Sequence, residues 1–312
     1  MKKKDIILAT LLVILWGINF TVIKLGLKDV PSMLLITLRY LLTVFPAIFF
    51  VKKPKTSFKY IVLYGLTVGV GQFACLFYAM EIGMPASIAS IVLQIQAFIS
   101  PAMAVFYLNE KLKRKQIIGS VIAAFGLIII GAANTTGGIT AIPVLAIILN
   151  LLAPFFWSAS NMVARIASNK AEAEGERLDM FSLVVWSALV PPIPLMALAF
   201  VFDTPQIIFN ALANFNGISI FAVLYLAVGA TLFGYGVWNM LISKYPMGKV
   251  APIPLLVPIA ALMSARIVLN EQLSSMQWIG VIVILVGLIT SNLDFGIIRK
   301  HFVNKSLKNE GL

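Results

Sequence analysis

The chain has 312 residues, of which 60% are hydrophobic and only 12% charged, with a net charge of +12. A soluble domain carries charge on about a quarter of its positions, so the composition excludes a soluble globular fold or a large domain outside a membrane. One cysteine, Cys75, and one histidine, His301, exclude a disulfide framework and a Cys- or His-based metal centre, and the sequence implies no cofactor.

Apolar runs long enough to cross a bilayer, roughly 20 helical residues each, recur along the whole chain. They predict ten transmembrane helices, at 6–25, 32–51, 58–80, 86–108, 116–133, 142–166, 180–202, 217–242, 250–269 and 276–292. The expected fold class is all-α integral membrane. Lys2, Lys3 and Lys4 precede the first run as they would in a signal peptide, but the run is too long and lacks a small-residue cleavage site. Ten spans put both termini on one side. Lysines and arginines counted loop by loop give 20 on that side, at 2–4, 52–59, 111–115, 165–177, 244–249 and 299–308, against Lys24 and Lys28 opposite. Arg39 and Arg266 fall within spans. The asymmetry predicts cytoplasmic N- and C-termini in a cell inner membrane. It also assigns the positive charge to topology and not to a nucleic-acid groove.

Shifting the sequence by 161 residues matches Tyr64 with Tyr225, Pro85 with Pro246, Asn109-Glu110 with Asn270-Glu271 and Leu112 with Leu273. Gln116 then matches Gln277, Gly119 matches Gly280 and Gly126 matches Gly287. With five spans per half, the two Asn-Glu turns face opposite sides of the membrane. The expected organisation is therefore a first five-helix repeat at 1–133, a linker at 134–141, an inverted second repeat at 142–295 and a basic cytoplasmic tail at 296–312. Inverted repeats are the architecture of alternating access, with substrate held near the midplane.

Trp16-Gly17-Ile18-Asn19-Phe20, Leu38-Arg39-Tyr40 and the Asn-Glu-x-Leu turn of each half resemble the EamA-type members of the drug/metabolite transporter superfamily, over the whole ten-helix region. The strings at 22–27, 45–51, 71–74, 83–86, 92–98 and 186–189 are similar to the bacterial exporters of cysteine and O-acetylserine in that family. The resemblance implies export of small amino-acid metabolites from the cytoplasm, with small-molecule substrates and membrane lipids as partners. Monomer and homodimer both stay open.

Arg39 is the sharpest single feature, because a guanidinium inside an apolar helix must face a cavity or a partner. It either binds a substrate carboxylate or staples neighbouring helices. Arg266, near a helix end, reads as snorkelling. Trp16 with Asn19, and Trp157 with Asn161, share a helix face and bring an aromatic wall and an amide together in each half, for ligand or for helix packing. Ser87, Ser90 and Gln94 form one polar stripe of the fourth helix, with Gln96 on the other side. Gln72, Tyr235, Trp238 and Asn239 are further candidates, and Trp186 reads as core. Pro252, Pro254 and Pro258 are the hinge candidates, and the polar stretch 168–179 reads as a solvated connector. Glu110 and Glu271, each in an Asn-Glu turn, read as helix caps or local pairing partners at mirrored membrane faces and not as cargo ligands.

No Gly-x4-Gly-Lys-[Ser/Thr] phosphate loop is present, which leaves secondary transport. Asp29, Glu81, Glu110, Asp203 and Glu271 all map to helix ends, so no proton site is expected at depth. A membrane-embedded enzyme would need a nucleophile with its base or a metal cluster, and the sequence offers neither; no catalytic residue is expected. The alternative cargoes are other amino acids or lipophilic drugs.

Overall fold

A computed structural model describes residues 1–108, 114–133, 142–244, 253–272 and 274–292. Among them every regular element is helical, as lipid demands of a backbone that must satisfy its own polar groups. Five helical stretches are long and apolar enough to cross a membrane: Lys3–Gly26, Ser32–Phe49, Phe58–Glu81, Val144–Ala173 and Gly217–Trp238. Ile117–Gly126, Val257–Leu269 and Trp278–Gly287 are shorter apolar helices.

In chain order, α1 (Lys3–Gly26) and α2 (Ser32–Val44) are followed by a rod of three parts: α3 (Phe58–Tyr64), a π-helical segment π1 (Gly65–Gln72) and α4 (Phe73–Glu81). Next come α5 (Ala86–Leu93), α6 (Gln96–Leu108), α7 (Arg114–Ala133) and α8 (Val144–Ala173). Then α9 (Met180–Ser187), α10 (Pro192–Phe202) and α11 (Pro205–Ala213) precede a second rod made of α12 (Gly217–Leu224), π2 (Tyr225–Phe233) and α13 (Gly234–Lys244). A 3-10 turn at Ile253–Leu256 leads into α14 (Val257–Leu269), and α15 (Ser275–Asn292) ends the described chain. The 161-residue offset that aligns Tyr64 with Tyr225 also carries 65–72, the span of π1, onto 226–233 within π2.

Several expected spans differ in detail. The helix expected at 86–108 breaks after Leu93, where the amides of Gln94 and Ile95 bond to carbonyls three residues back and tighten the last turn of α5. The helix expected at 180–202 bends by 40° before Pro192, as proline at a helix start requires of the chain before it. The stretch between Phe202 and Gly217 holds α11, capped by Thr204, whose hydroxyl accepts from the Ile207 amide. The connector expected from Ser168 is helical as far as Ala173, since alanine, lysine and glutamate are strong helix formers. Gly175, at φ +75°, then ends that helix. Asn109-Glu110, the 134–141 linker, Pro252, the 296–312 tail and the side chain of Asn239 lie outside the described residues.

Glycines set the closest helix contacts. A Cβ added to Gly126 in α7 would lie 2.7 Å from the Gly280 carbonyl oxygen in α15, and one added to Gly287 would lie 2.6 Å from the Gly119 carbonyl oxygen. The two residue pairs that the 161-residue offset matched therefore touch each other reciprocally. Small residues at such crossings let backbones approach where no hydrophobic force drives them together.

One end of the bundle is tied by polar contacts. The Glu271 carboxylate, just beyond α14, accepts from the amides of Ala86 (2.8 Å) and Ser87 (3.0 Å) and from the Ser87 hydroxyl (2.5 Å), capping α5. Glu81 accepts from the Ser32 amide (3.2 Å) and hydroxyl (2.5 Å) at the start of α2. Lys24 Nζ donates to the carbonyls of Met80 (2.5 Å) and Met84 (3.3 Å). At the other end Lys55 pairs with Glu176 at 2.7 Å, both exposed.

Candidate functional site

Between these ends lies a cavity of about 40 Å³, room for about three waters. It is lined from α1, α2, the π1–α4 junction, the end of α5, α8, the π2–α13 junction and the start of α14. Arg39 projects from α2 and is 1% exposed. Its Nε donates to Thr231 Oγ1 at 2.9 Å, and its guanidinium carbon lies 4.0 Å from the Phe73 ring centroid, a cation–π geometry. Thr231 passes the contact on, donating at 2.7 Å to the Leu226 carbonyl five residues back, the spacing of a π turn.

Three amides share the cavity wall with Arg39: Asn19 from α1, Gln72 at the end of π1, and Gln94 closing α5. Gln96 turns away, and its backbone carbonyl accepts from Ser158 of α8. The aromatic side of the wall is Trp16, Trp157 and Tyr235. Trp16 centres it, 6.3 Å from Trp157, 5.4 Å from Tyr235 and 5.9 Å from Trp238. Its indole N–H donates to the Ala230 carbonyl at 3.1 Å, and its ring edge occupies the space where a Cβ on Gly234 would stand. Trp16 therefore anchors α1 to the second rod as well as facing the cavity.

Two expected members are not among the lining residues. Asn161 is one turn beyond Trp157, about 6 Å along α8, which carries it past the cavity; it is half-buried. Trp238 packs behind Trp16 and does not form part of the wall. Of the hinge candidates that are described, Pro254 sits in the 3-10 turn and Pro258 in the first turn of α14. A proline there removes no helical hydrogen bond, so Pro258 begins this helix and does not interrupt it. Trp186 donates to the Val51 carbonyl at 3.0 Å and is half-buried, packed against the core. Arg266 is exposed on α14.

Sequence reasoning missed Phe73 and Thr231, the two groups that hold Arg39. Thr231 carried a signal, being the one polar side chain between Tyr225 and Tyr235.

Among the described residues, four buried polar atoms in this wall have no hydrogen-bond partner: Arg39 Nη1, Asn19 Oδ1, Gln72 Oε1 and Gln94 Oε1. Each such atom costs about 1–3 kcal/mol, more when charged. Among the described residues no acidic side chain lines the cavity and Arg39 makes no ion pair. A site with one unpaired cationic donor and three unpaired acceptors is complementary to a small polar ligand.

The chain matches the EamA-like transporter family over residues 3–132 and 144–293. It is 41% identical over 299 residues to a probable amino-acid metabolite efflux pump of Salmonella typhimurium, covering 96% of this chain and 98% of that protein. The protein of the same description in Escherichia coli is 40% identical over 288 residues, covering 92% and 94%. A solved crystal structure with 14% sequence identity superposes with a TM-score of 0.60, covering 93% of this chain and 97% of its own, which is a likeness of fold alone. With the family matched across both parts of the chain and two such relatives aligned nearly end to end, this protein belongs to the EamA-like transporter family and is a multi-pass membrane transporter, not an enzyme.

Proposed function

We propose that the protein is a secondary transporter of the cell inner membrane that exports small amino-acid metabolites, cysteine and O-acetylserine among them, by alternating access. The observation that carries this reading is buried Arg39 in a cavity walled by both family-matched parts of the chain. Trp16, Asn19, Gln72 and Gln94 come from one, Trp157 and Tyr235 from the other. A site between two halves is what alternating access needs, and the descriptions of the two relatives supply the metabolite class.

An inverted pair of five-helix repeats, 1–133 and 142–295, is supported by the offset that superposes the π segments and by the reciprocal Gly126–Gly280 and Gly287–Gly119 contacts. Surfaces related by a two-fold axis touch in this way, i with j and j with i. The lysine and arginine distribution supports cytoplasmic termini. Each chain holds a complete cavity, so the proposed cycle needs no second copy.

The test is the composition of the medium around cells producing wild type, Arg39→Ala or neither, at matched membrane levels. Accumulation of cysteine and O-acetylserine with the wild type alone is the expected result. Accumulation of a non-amino-acid metabolite in their place would overturn the reading.

A further inference from the structure

We infer that the cavity recognises the zwitterionic head group common to all small α-amino acids, a free carboxylate on Arg39 and a free ammonium on the amide oxygens of Asn19, Gln72 and Gln94, and that the side chain of the substrate is selected only by size. The inference rests on the exporter reading above and deepens it.

Arg39 is fully buried, holds its Nε on a neutral hydroxyl and its face on a phenyl ring, and leaves Nη1 without a partner. Thr231 and Phe73 fix the guanidinium in orientation without neutralising it. A cation so placed attracts an anion, and its planar fork matches a carboxylate. The amide oxygens are the complement. Asn19 Oδ1, Gln72 Oε1 and Gln94 Oε1 are three buried acceptors lacking donors, and an ammonium carries three N–H donors. The acceptors are neutral, so they bind an ammonium without holding Arg39 in a permanent internal ion pair; a carboxylate at any of these positions would do so. The ring cluster around Trp16 adds a face to which an ammonium is drawn.

Apart from the Tyr235 hydroxyl and the Trp157 indole, the described remainder of the wall is apolar. Phe20, Leu76, Leu93 and Val257 are apolar and inextensible as hydrogen-bond partners. At about 40 Å³ the space is tight, which admits the short side chains of alanine, serine, cysteine and O-acetylserine on expansion and penalises long or branched ones. An apolar pocket discriminates poorly between small side chains, whereas a site built around polar groups rejects a ligand lacking one of them much more strongly.

The experiment uses the purified full chain of wild-type sequence and reads ligand binding by tryptophan fluorescence and thermal shift. The probes are L-alanine, L-serine, L-cysteine and O-acetyl-L-serine as zwitterions; L-alanine methyl ester and cysteamine, which lack the carboxylate; and N-acetyl-L-alanine, which lacks the ammonium. The four zwitterions are expected to bind within about tenfold of one another, and each head-group deletion to weaken binding about 100-fold or more. In Gln94→Leu the ratio between alanine and N-acetylalanine should shrink about tenfold, while the ratio between alanine and its methyl ester holds. Ester or cysteamine binding as tightly as the parent zwitterions would overturn this inference and leave the exporter reading standing. Failure of every zwitterion to bind, with the protein folded by its thermal transition, would overturn both.

Discussion

Two polar regions of this protein, the Glu271 end of the bundle and the Arg39 cavity, are built from similar groups and finished differently. Around Glu271 both carboxylate oxygens are engaged, as are those of Glu81, and Lys24 reaches two carbonyls. In the cavity four buried atoms are left without partners. Polar groups that hold helices together are satisfied within the protein; polar groups kept for a ligand are not, and their cost is borne by the empty state. Among the described residues Asn150 of α8 is also buried without partners but does not line the cavity, so it is the gathering of four such atoms in one wall that marks the binding residues.

The largest expected effect comes from testing the cavity side of that contrast at its charge. Arg39→Gln should reduce export to the level of cells without the transporter. The purified variant should melt no lower than the wild type, because an unneutralised buried cation has been removed. Paired measurements of export and thermal transition check both halves, and a large fall in melting temperature would make Arg39 a staple. Next in size, Glu271→Ala leaves the first amides of α5 without acceptors, and should cost about 1–2 kcal/mol of stability, as lost helix caps do. Ligand affinity measured on the folded fraction should be unchanged. Gln94→Leu should weaken zwitterion binding about tenfold, the scale of one hydrogen bond to a charged group. The empty protein should be no less stable, since an orphaned acceptor has been replaced by an apolar group of similar size. The smallest effect is expected at Lys55→Ala: the pair with Glu176 is exposed, and such pairs contribute under about 1 kcal/mol, so both export and melting should stay within error.

Much of this was legible in the sequence because membrane helices advertise themselves through long apolar runs, and a buried arginine is conspicuous among them. Arg39, Asn19, Gln72 and Gln94 stand out for the same reason, and all four line the cavity. The break after Leu93 was not legible, since no glycine or proline lies between Ala86 and Gln96 and the turn tightens through backbone bonds alone. Nor could the position of Asn161 be read, because sharing a helix face with Trp157 leaves open how far along the axis the cavity extends. The roles of Phe73 and Thr231 depend on rods from distant parts of the chain meeting at Arg39, which no local pattern encodes.

The π segments carry a consequence for history. A π turn spans five residues where an α turn spans four, and is what a helix forms when it accommodates one inserted residue without losing its packing. Gly65–Gln72 and Tyr225–Phe233 fall at corresponding places under the 161-residue offset, and each borders the cavity, one ending at Gln72 and the other containing Thr231. On the proposed repeat, two independent insertions at the same place are a less economical account than one insertion inherited twice. If the two halves are such a repeat, the extra residue predates the doubling of the gene, and the distortion stood beside the binding surface before there was a second half to close against.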